Sequence, residues 1–192
     1  MSNVIAICGT MGVGKSTLAA ALRERISDSV IVAEDDFNPV FRHSLETVQE
    51  WWEQGADTGQ IDLRQVVMEI RSSQQRGQTV LLETQFGRLH PLLRPLIDIQ
   101  IWLQAPLDVA FARRTAQLAD GWRRSPETDM KRTAEWLHEY SLGYLRVRRS
   151  MLVWQQQTLP DQSDFQLNAA ASPDQLLRQA LTVLNLQQDE LS

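Results

Sequence analysis

Two hydrophobic spacings alternate along this chain, and they predict strands and helices in turn. Runs of consecutive apolar, mostly β-branched residues are typical of strands buried on both faces; they occur at residues 4–8, 30–33, 79–83, 98–103 and 165–167. Between them, apolar residues recur at helical spacing, at residues 18–25, 44–55, 62–77, 107–118, 129–157 and 173–184. The alternation predicts an α/β domain with a mostly parallel, five-stranded sheet and right-handed crossovers.

Residues that start or stop helices mark several of the predicted ends. Ser44, Asp62 and Ser172 are candidate N-caps, because their short polar side chains can accept from the free N–H groups of a first turn. Gly55 and Pro160 are expected to end the helices that precede them.

The tryptophans allow two interpretations. Trp51 and Trp52 lie on a predicted helix, where they can fill the core or form an aromatic wall for a planar substrate group. Trp122 and Trp136 present the same alternative.

Length and composition narrow the class of protein. The 192 residues predict a single domain over residues 1–192 with a full core, and no apolar run reaches the roughly 20 residues that span a bilayer. The chain leads straight into its first strand, so we expect no secretory signal, and the single cysteine, Cys8, suits a reducing compartment. We therefore expect a cytoplasmic protein without membrane contacts, either monomer or homodimer.

The charge is unevenly distributed. The net charge of −5 argues against a nucleic-acid partner. Nine basic and five acidic residues nevertheless lie between Arg113 and Arg149, so cationic density is concentrated there. Arg113 to Pro126 is polar, rich in arginine and contains a glycine. We predict that it belongs to a lid, at about residues 113–128, which closes over a bound anion.

One motif follows the first strand and defines the chemistry. Residues 9–16 fit the phosphate-loop pattern G-x-x-x-x-G-K-[ST] at every fixed position, between a strand and a helix. Such a loop holds phosphate oxygens on backbone N–H groups at the positive end of a helix dipole. The motif predicts an ATP site formed by Gly9, Thr10, Met11, Gly12, Val13, Gly14, Lys15, Ser16 and Thr17.

Acidic residues follow two further strands. Asp35 and Asp36 come after the second strand, and Glu83 ends the third. In an open α/β sheet ligands bind beyond the carboxyl ends of the strands, so these acids are expected near the phosphate loop. A second possibility for the aspartates is a turn-forming role before Pro39.

Phosphoryl transfer requires a phosphate cradle, Mg²⁺, an acid that activates the acceptor and additional cations. We predict Lys15, Asp35, Arg113 and Arg114 as catalytic residues, with Asp36 as the alternative base. The predicted Mg²⁺ ligands are Ser16, Asp35 and Glu83, and the predicted acceptor-binding residues are Asp36, Glu83 and Arg123.

The order of these motifs resembles the uridine kinase and nicotinamide riboside kinase branch of the P-loop kinases. The resemblance covers roughly residues 3–150 and rests on the phosphate loop, Asp35-Asp36-Phe37-Asn38-Pro39, Leu81-Leu82-Glu83 and Gln104-Ala105-Pro106 with Arg113-Arg114. The D-D-F-x-P piece is closer to nicotinamide riboside kinases. The resemblance implies a P-loop NTPase three-layer sandwich with a helical lid.

By position, the resemblance implies that Asp35 is the base, that Arg113 and Arg114 lie near the ATP phosphates, and that Asp62 positions a ribose. The chain departs from the family after the third strand, where Thr84 replaces the usual glycine.

The function expected from these features is an ATP-dependent kinase that phosphorylates a hydroxyl of a small metabolite, a nucleoside or ribosyl compound. Two alternatives stay open: a kinase of a sugar-nucleotide or antibiotic hydroxyl, and a nucleotide-gated switch or ATPase that acts through a protein partner.

Overall fold

The computed structural model describes residues 3–37, 45–124 and 129–186. Its central feature is a five-stranded sheet in the order β2-β3-β1-β4-β5, in which every neighbouring pair is parallel. The α/β prediction with five parallel strands is confirmed. The strands are β1 (Val4–Gly9), β2 (Ser29–Ala33), β3 (Thr79–Thr84), β4 (Ile99–Gln104) and β5 (Phe165–Asn168).

The helices are α1 (Lys15–Arg23), α2 (Glu34–Phe37), α3 (Leu45–Glu53), α4 (Arg64–Gln75), α5 (Leu107–Arg124), α6 (Met130–Gly143), α7 (Arg149–Thr158) and α8 (Pro173–Val183). A π-helical segment, Tyr144–Arg148, joins α6 to α7, and short 3₁₀ turns lie at Thr58–Gln60, Gly87–Leu89 and Pro160–Gln162.

The sheet is covered on both faces because alternate residues of each strand point to opposite sides. In β1, Val4 and Ala6 belong to one buried cluster, with Val66 of α4, and Ile5 and Ile7 belong to the other. The second cluster contains apolar side chains of α1 and α8. The sheet is therefore the middle of three layers, as the uninterrupted apolar runs predicted.

A smaller cluster joins α3 to the end of the long helical region. Val48 of α3 packs with Val147 and Met151, and Trp51 and Trp52 lie against this cluster. Both tryptophan rings make edge contacts with other aromatic rings, Trp51 with Phe86 at 5.9 Å and Trp52 with Trp154 at 5.8 Å. These two side chains are partly buried and pack against the core, in line with the first of the two interpretations.

Several helix ends differ from the predictions. The helix expected to stop at Leu118 continues to Arg124, because Gly121 is tolerated inside it and Asp120 pairs with two arginines of the last turn. The N-cap of α4 is Leu63 rather than Asp62, although Asp62 Oδ1 still accepts from Arg64 N at 3.1 Å. Ser172 caps α8 as predicted. Ser44 and Pro39 lie outside the described residues.

Across residues 3–37, 45–124 and 129–186, no helix combines the length and the apolar composition needed to cross a bilayer.

Candidate active site

The phosphate loop connects β1 to α1 at the carboxyl edge of the sheet. Gly14 adopts a φ of 109° and serves as the N-cap of α1, a conformation that favours glycine. Gly12 has a φ of 78°, and a β-carbon there would collide with the carbonyl oxygen of Ala110 on α5. The loop therefore needs glycine at both positions: Gly14 starts the helix, and Gly12 lets α5 pack against the loop.

Lys15 is the first residue of α1 and is half-buried beneath the loop. Its Nζ donates to the carbonyl oxygens of Gly9 at 3.0 Å and Thr10 at 3.4 Å. Burial lowers the pKa of Lys15, and the negative charges of Asp35 and Glu83 oppose that shift. The ammonium group is thus held at the loop by carbonyl oxygens, which phosphate oxygens can replace.

Arg113 and Arg114 lie on α5, which follows β4, and both line the same cavity as the phosphate loop. Arg113 Nη1 donates to the carbonyl oxygen of Ala169 at 2.6 Å, which ties α5 to the loop after β5. Arg114 Nη1 donates to Gln117 Oε1 at 2.8 Å, and its buried Nε has no hydrogen-bond partner among the described residues.

A carboxylate from β3 reaches the start of α1. Ser16 Oγ donates to Glu83 Oε2 at 2.6 Å. Burial raises the pKa of Glu83, whereas the Ser16 hydrogen bond and the Lys15 charge oppose the rise.

The predicted Mg²⁺ ligands can be compared with what that ion prefers. Mg²⁺ is usually held by hard oxygen atoms, with one or two carboxylates and the remaining positions filled by water and substrate phosphates. Ser16, Glu83 and Asp35 supply a hydroxyl and two carboxylates to one cavity, so the donor set fits Mg²⁺ bound together with a nucleotide. No group of three or more His, Cys, Asp or Glu side chains suited to a metal occurs within the described ranges.

Asp35 and Asp36 lie on α2, a single helical turn that begins directly after β2. Both side chains are exposed to the cavity edge, and Asp35 Oδ1 accepts from Gln85 Nε2 at 3.4 Å. Since β2 is the neighbour of β3 in the sheet, these aspartates and Glu83 leave adjacent strands.

Glu34 is a site residue that sequence reasoning missed. Its side chain is 1% exposed, and its Oε2 accepts from Thr84 Oγ1 at 2.5 Å and from Gln85 N at 3.1 Å. Burial raises the pKa of Glu34 to about 7. The sequence did contain one signal for this residue: Glu34 is an acid that directly follows an apolar strand and precedes Asp35 and Asp36.

An aromatic stack on α5 and α6 contacts the phosphate loop at Met11. The rings of Trp136 and Tyr140 on α6 stack at 4.9 Å, and Tyr140 in turn stacks with Phe111 of α5 at 6.1 Å. The Tyr140 hydroxyl donates to Met11 Sδ at 3.5 Å. The edge of Trp122 meets Trp136 at 5.3 Å, so these two tryptophans join α5 to α6 beside the loop.

One cavity of about 650 Å³ collects most of the predicted site residues, a size within the usual range of small-molecule sites, roughly 300–1,000 Å³. The described lining residues are Met11, Gly12, Gly14, Lys15, Ser16, Thr17, Ala33, Glu34, Asp35, Asp36, Glu83, Thr84, Gln85, Arg113, Arg114 and Gln117. Because β1 lies between β3 and β4, the acids enter from one side of the phosphate loop and the arginines from the other.

Two predicted acceptor-binding residues lie outside this lining. Asp62 is exposed and paired with Arg64 at 2.6 Å, and the hydrogen bonds from Arg64 lower the pKa of Asp62 to about 2. Arg123 is paired with Asp120 at 2.9 Å on the last turns of α5. Each side chain is paired at the surface with a neighbour in the sequence, and neither lines the cavity. Of the predicted lid, residues 113–124 are helical and 125–128 lie outside the described residues; its closure stays a prediction.

Comparison with known proteins places the chain in a family. The model of the AAA_18 family, described as AAA domain, matches residues 5–136. Cytidylate kinase of Halobacterium salinarum is 30% identical over 117 residues, which are 61% of this chain and 59% of that protein. The match thus spans somewhat less than two thirds of this curated relative.

Several solved kinases share the fold. A sugar kinase from Janibacter sp. HTCC2649 superposes with a TM-score of 0.54 at 18% identity, covering 96% of this chain and 95% of that one. Deoxyadenosine kinase from M. mycoides, solved with bound dCTP, superposes with a TM-score of 0.54 at 16% identity, covering 96% of this chain and 100% of that one. A gluconokinase from Sinorhizobium meliloti 1021 superposes with a TM-score of 0.50 at 15% identity, covering 96% of this chain and 92% of that one. The fold is therefore that of the P-loop kinases.

Proposed function

This chain belongs to the AAA_18 family (AAA domain), and we propose that it is an ATP- and Mg²⁺-dependent kinase that transfers the γ-phosphoryl group to a hydroxyl of a small metabolite, a nucleoside or another ribosyl compound. The observation that carries the proposal is the single cavity that combines the phosphate loop, two arginines and the acids that follow β2 and β3. These are the components that phosphoryl transfer needs.

The triphosphate binds to the phosphate loop and the N-terminus of α1. Backbone N–H groups of the loop and the positive end of the helix dipole face the anion. The Lys15 ammonium, now bound to the carbonyl oxygens of Gly9 and Thr10, turns to phosphate oxygens when they are present. Arg113 and Arg114 add positive charge from α5, where negative charge accumulates on the transferring group.

The acceptor approaches from the side of β2 and β3. Its hydroxyl oxygen forms a bond to the γ-phosphorus while the bond from that phosphorus to the β,γ-bridging oxygen breaks and ADP leaves. Asp35 takes the hydroxyl proton, and Asp36 is the alternative base. Ser16, Glu83 and Asp35 would hold Mg²⁺, which neutralises phosphate charge when bound.

Charge favours an alcohol acceptor over a phosphate acceptor. Among the described lining residues the cations are Lys15, Arg113 and Arg114, all on the phosphate loop and α5, whereas the side of β2 and β3 carries Glu34, Asp35, Asp36 and Glu83. An acceptor phosphate would place further negative charge beside these acids, and like charges repel.

The choice of a nucleoside or ribosyl compound is supported by the resemblance to the uridine kinase and nicotinamide riboside kinase branch. Asp36 and Glu83 line the cavity, and we propose that they accept hydrogen bonds from sugar hydroxyls. The position of Asp62 outside the cavity gives no support to its predicted part in binding the ribose.

The experiment is an assay of ADP formation by the full chain with ATP and Mg²⁺ against a panel of nucleosides, nicotinamide riboside, sugars, aminoglycosides and nucleoside monophosphates. We expect acceptor-dependent turnover with a neutral or cationic alcohol, and mass spectrometry of the product should show one added phosphoryl group. ATP consumption that no acceptor stimulates would favour the nucleotide-gated switch instead.

A second candidate is a nucleoside monophosphate kinase, which is favoured by the 30% identity to a cytidylate kinase. The same panel separates the two. Turnover with cytidine monophosphate and none with nucleosides would make the acceptor a phosphate and would reject the alcohol.

A further inference from the structure

The ends of β2 and β3 are joined by a buried hydrogen-bond bridge that ends on Asp35. The register of the two strands stops at the pair Ala33 and Glu83, and the chains then diverge. Beyond that pair, Glu34 takes over the contact between them: its Oε2 accepts from the Thr84 hydroxyl and from the backbone N–H of Gln85. Side chains therefore continue the connection where backbone pairing ends.

The bridge is enclosed and anchored at both ends. Glu34 and Thr84 are each 1% exposed and Gln85 is 5% exposed. The Thr84 hydroxyl oxygen also accepts from the backbone N–H groups of Phe86 at 3.3 Å and Gly87 at 3.1 Å, which fixes its orientation. Glu34 binds both the Thr84 hydroxyl and the Gln85 backbone N–H, so the start of the Gln85 side chain is held by these bonds.

Gln85 extends the bridge to the predicted base. Its Nε2 donates to Asp35 Oδ1 at 3.4 Å. Asp35 is otherwise an exposed side chain on a single helical turn, and such a side chain samples several rotamers. The second oxygen of Glu34 is buried, lacks a hydrogen-bond partner in the described part of the chain, and belongs to a cavity-lining residue, so the bridge borders directly on the site.

We propose that Gln85 is a positioning residue for phosphoryl transfer, anchored by Glu34 and Thr84, and that it holds the Asp35 carboxylate toward the acceptor hydroxyl. This inference rests on the proposed function, in which Asp35 is the base. It also gives the departure at Thr84 a role: a glycine there would have no hydroxyl with which to bind Glu34.

The test compares Gln85→Met, which removes the amide and keeps an unbranched side chain, with the control Gln49→Met. Gln49 makes a similar bond from its amide to a carboxylate, to Glu53 at 2.7 Å, on α3 and outside the cavity lining. We expect Gln85→Met to lower kcat about tenfold, since a misplacement of about 1 Å at the reacting groups can cost 10²-fold. KM for ATP and the melting temperature should stay near the wild-type values, and Gln49→Met should leave kcat unchanged.

A double-mutant cycle with Asp35→Ala identifies the route of the effect. If Gln85 acts through Asp35, Gln85→Met should lower the residual kcat of Asp35→Ala by less than about twofold, because coupled residues are not additive. A full tenfold loss in the Asp35→Ala background would overturn the proposal and leave the proposed function intact.

A crystal structure of full-length Gln85→Met supplies a readout that does not need turnover. We expect the Asp35 carboxylate to move by about 1 Å or more, or to occupy several rotamers, while the phosphate loop keeps its place. An Asp35 side chain in its original position would overturn the proposal. Absence of acceptor-dependent turnover in the wild type would count against the proposed function alone, and this structure would still decide the positioning role.

Discussion

The carbonyl oxygen of Ala110 occupies the space that a β-carbon on Gly12 would need. The contact joins the tip of the phosphate loop to α5, the helix that carries Arg113 and Arg114. The two arginines therefore reach the cavity because α5 packs directly on the loop. The glycine at this position serves packing as well as phosphate approach.

Gly12→Ala should destabilise the protein and weaken ATP binding. The new methyl group meets Ala110 at a backbone φ of 78°, so strain and overpacking together should cost about 2 kcal/mol or more. Urea denaturation measures the change. The matched control is Gly121→Ala, also on the α5 side of the molecule, where a β-carbon meets no atom within 4 Å. It should stabilise the helix by up to about 1 kcal/mol; equal losses in both variants would contradict the packing argument.

Lys15→Met should weaken the binding of an ATP analogue by roughly tenfold or more, because a hydrogen bond to a charged group is worth about 1.5–3 kcal/mol. The chain has only one other lysine, Lys131, which is exposed and lies 3.9 Å from Glu135. Lys131→Met is therefore the matched control and should leave binding within about twofold, since exposed ion pairs contribute little. Titration of a fluorescent ATP analogue provides the measurement. Equal affinities for Lys15→Met and wild type would remove the lysine from the nucleotide site.

The sheet could be predicted from sequence because its strands are buried on both faces. In β3 the apolar run from Val80 to Leu82 is short and follows Gly77, as is typical of a buried strand, and the observed strand extends only one residue beyond the predicted end at Glu83. The helix start at Ser172 was predictable for a different reason, because its cap depends only on residues close by in the sequence.

The bridge between Glu34 and Thr84 could not be predicted in this way. The two residues are 50 positions apart, and their contact depends on β2 and β3 being neighbours, which the hydrophobic pattern does not specify. Asp62 and Arg123 stay predictions as acceptor-binding residues, although neither lines the cavity. Each is paired at the surface with an oppositely charged residue within three positions, Arg64 and Asp120, and the sequence alone does not tell such a local pair from a residue that faces the cavity.

Cys8 should be unreactive in the native protein. It is fully buried in β1, and burial raises the pKa of its thiol, with the nearby Glu34 charge adding to the rise. The thiol is therefore protonated at neutral pH, whereas the thiolate is the nucleophile. Dithiodipyridine should react with one thiol in denaturant and negligibly without it. Modification of the native protein at the rate of a free cysteine would contradict the burial of β1.

Asp35→Ala and Asp36→Ala should separate the two candidates for the base. Both side chains are exposed on α2 and both line the cavity, but only Asp35 accepts a hydrogen bond from Gln85. A positioned base contributes at least about 10²-fold to turnover, so Asp35→Ala should lower kcat by at least that factor. Asp36→Ala should mainly raise KM for the acceptor, because its carboxylate is proposed to bind a hydroxyl and not to take the proton. The reverse pattern, with kcat lost in Asp36→Ala, would assign the base to Asp36. Unchanged kcat in both variants would mean that the acceptor hydroxyl loses its proton elsewhere and that the acids on α2 serve binding alone.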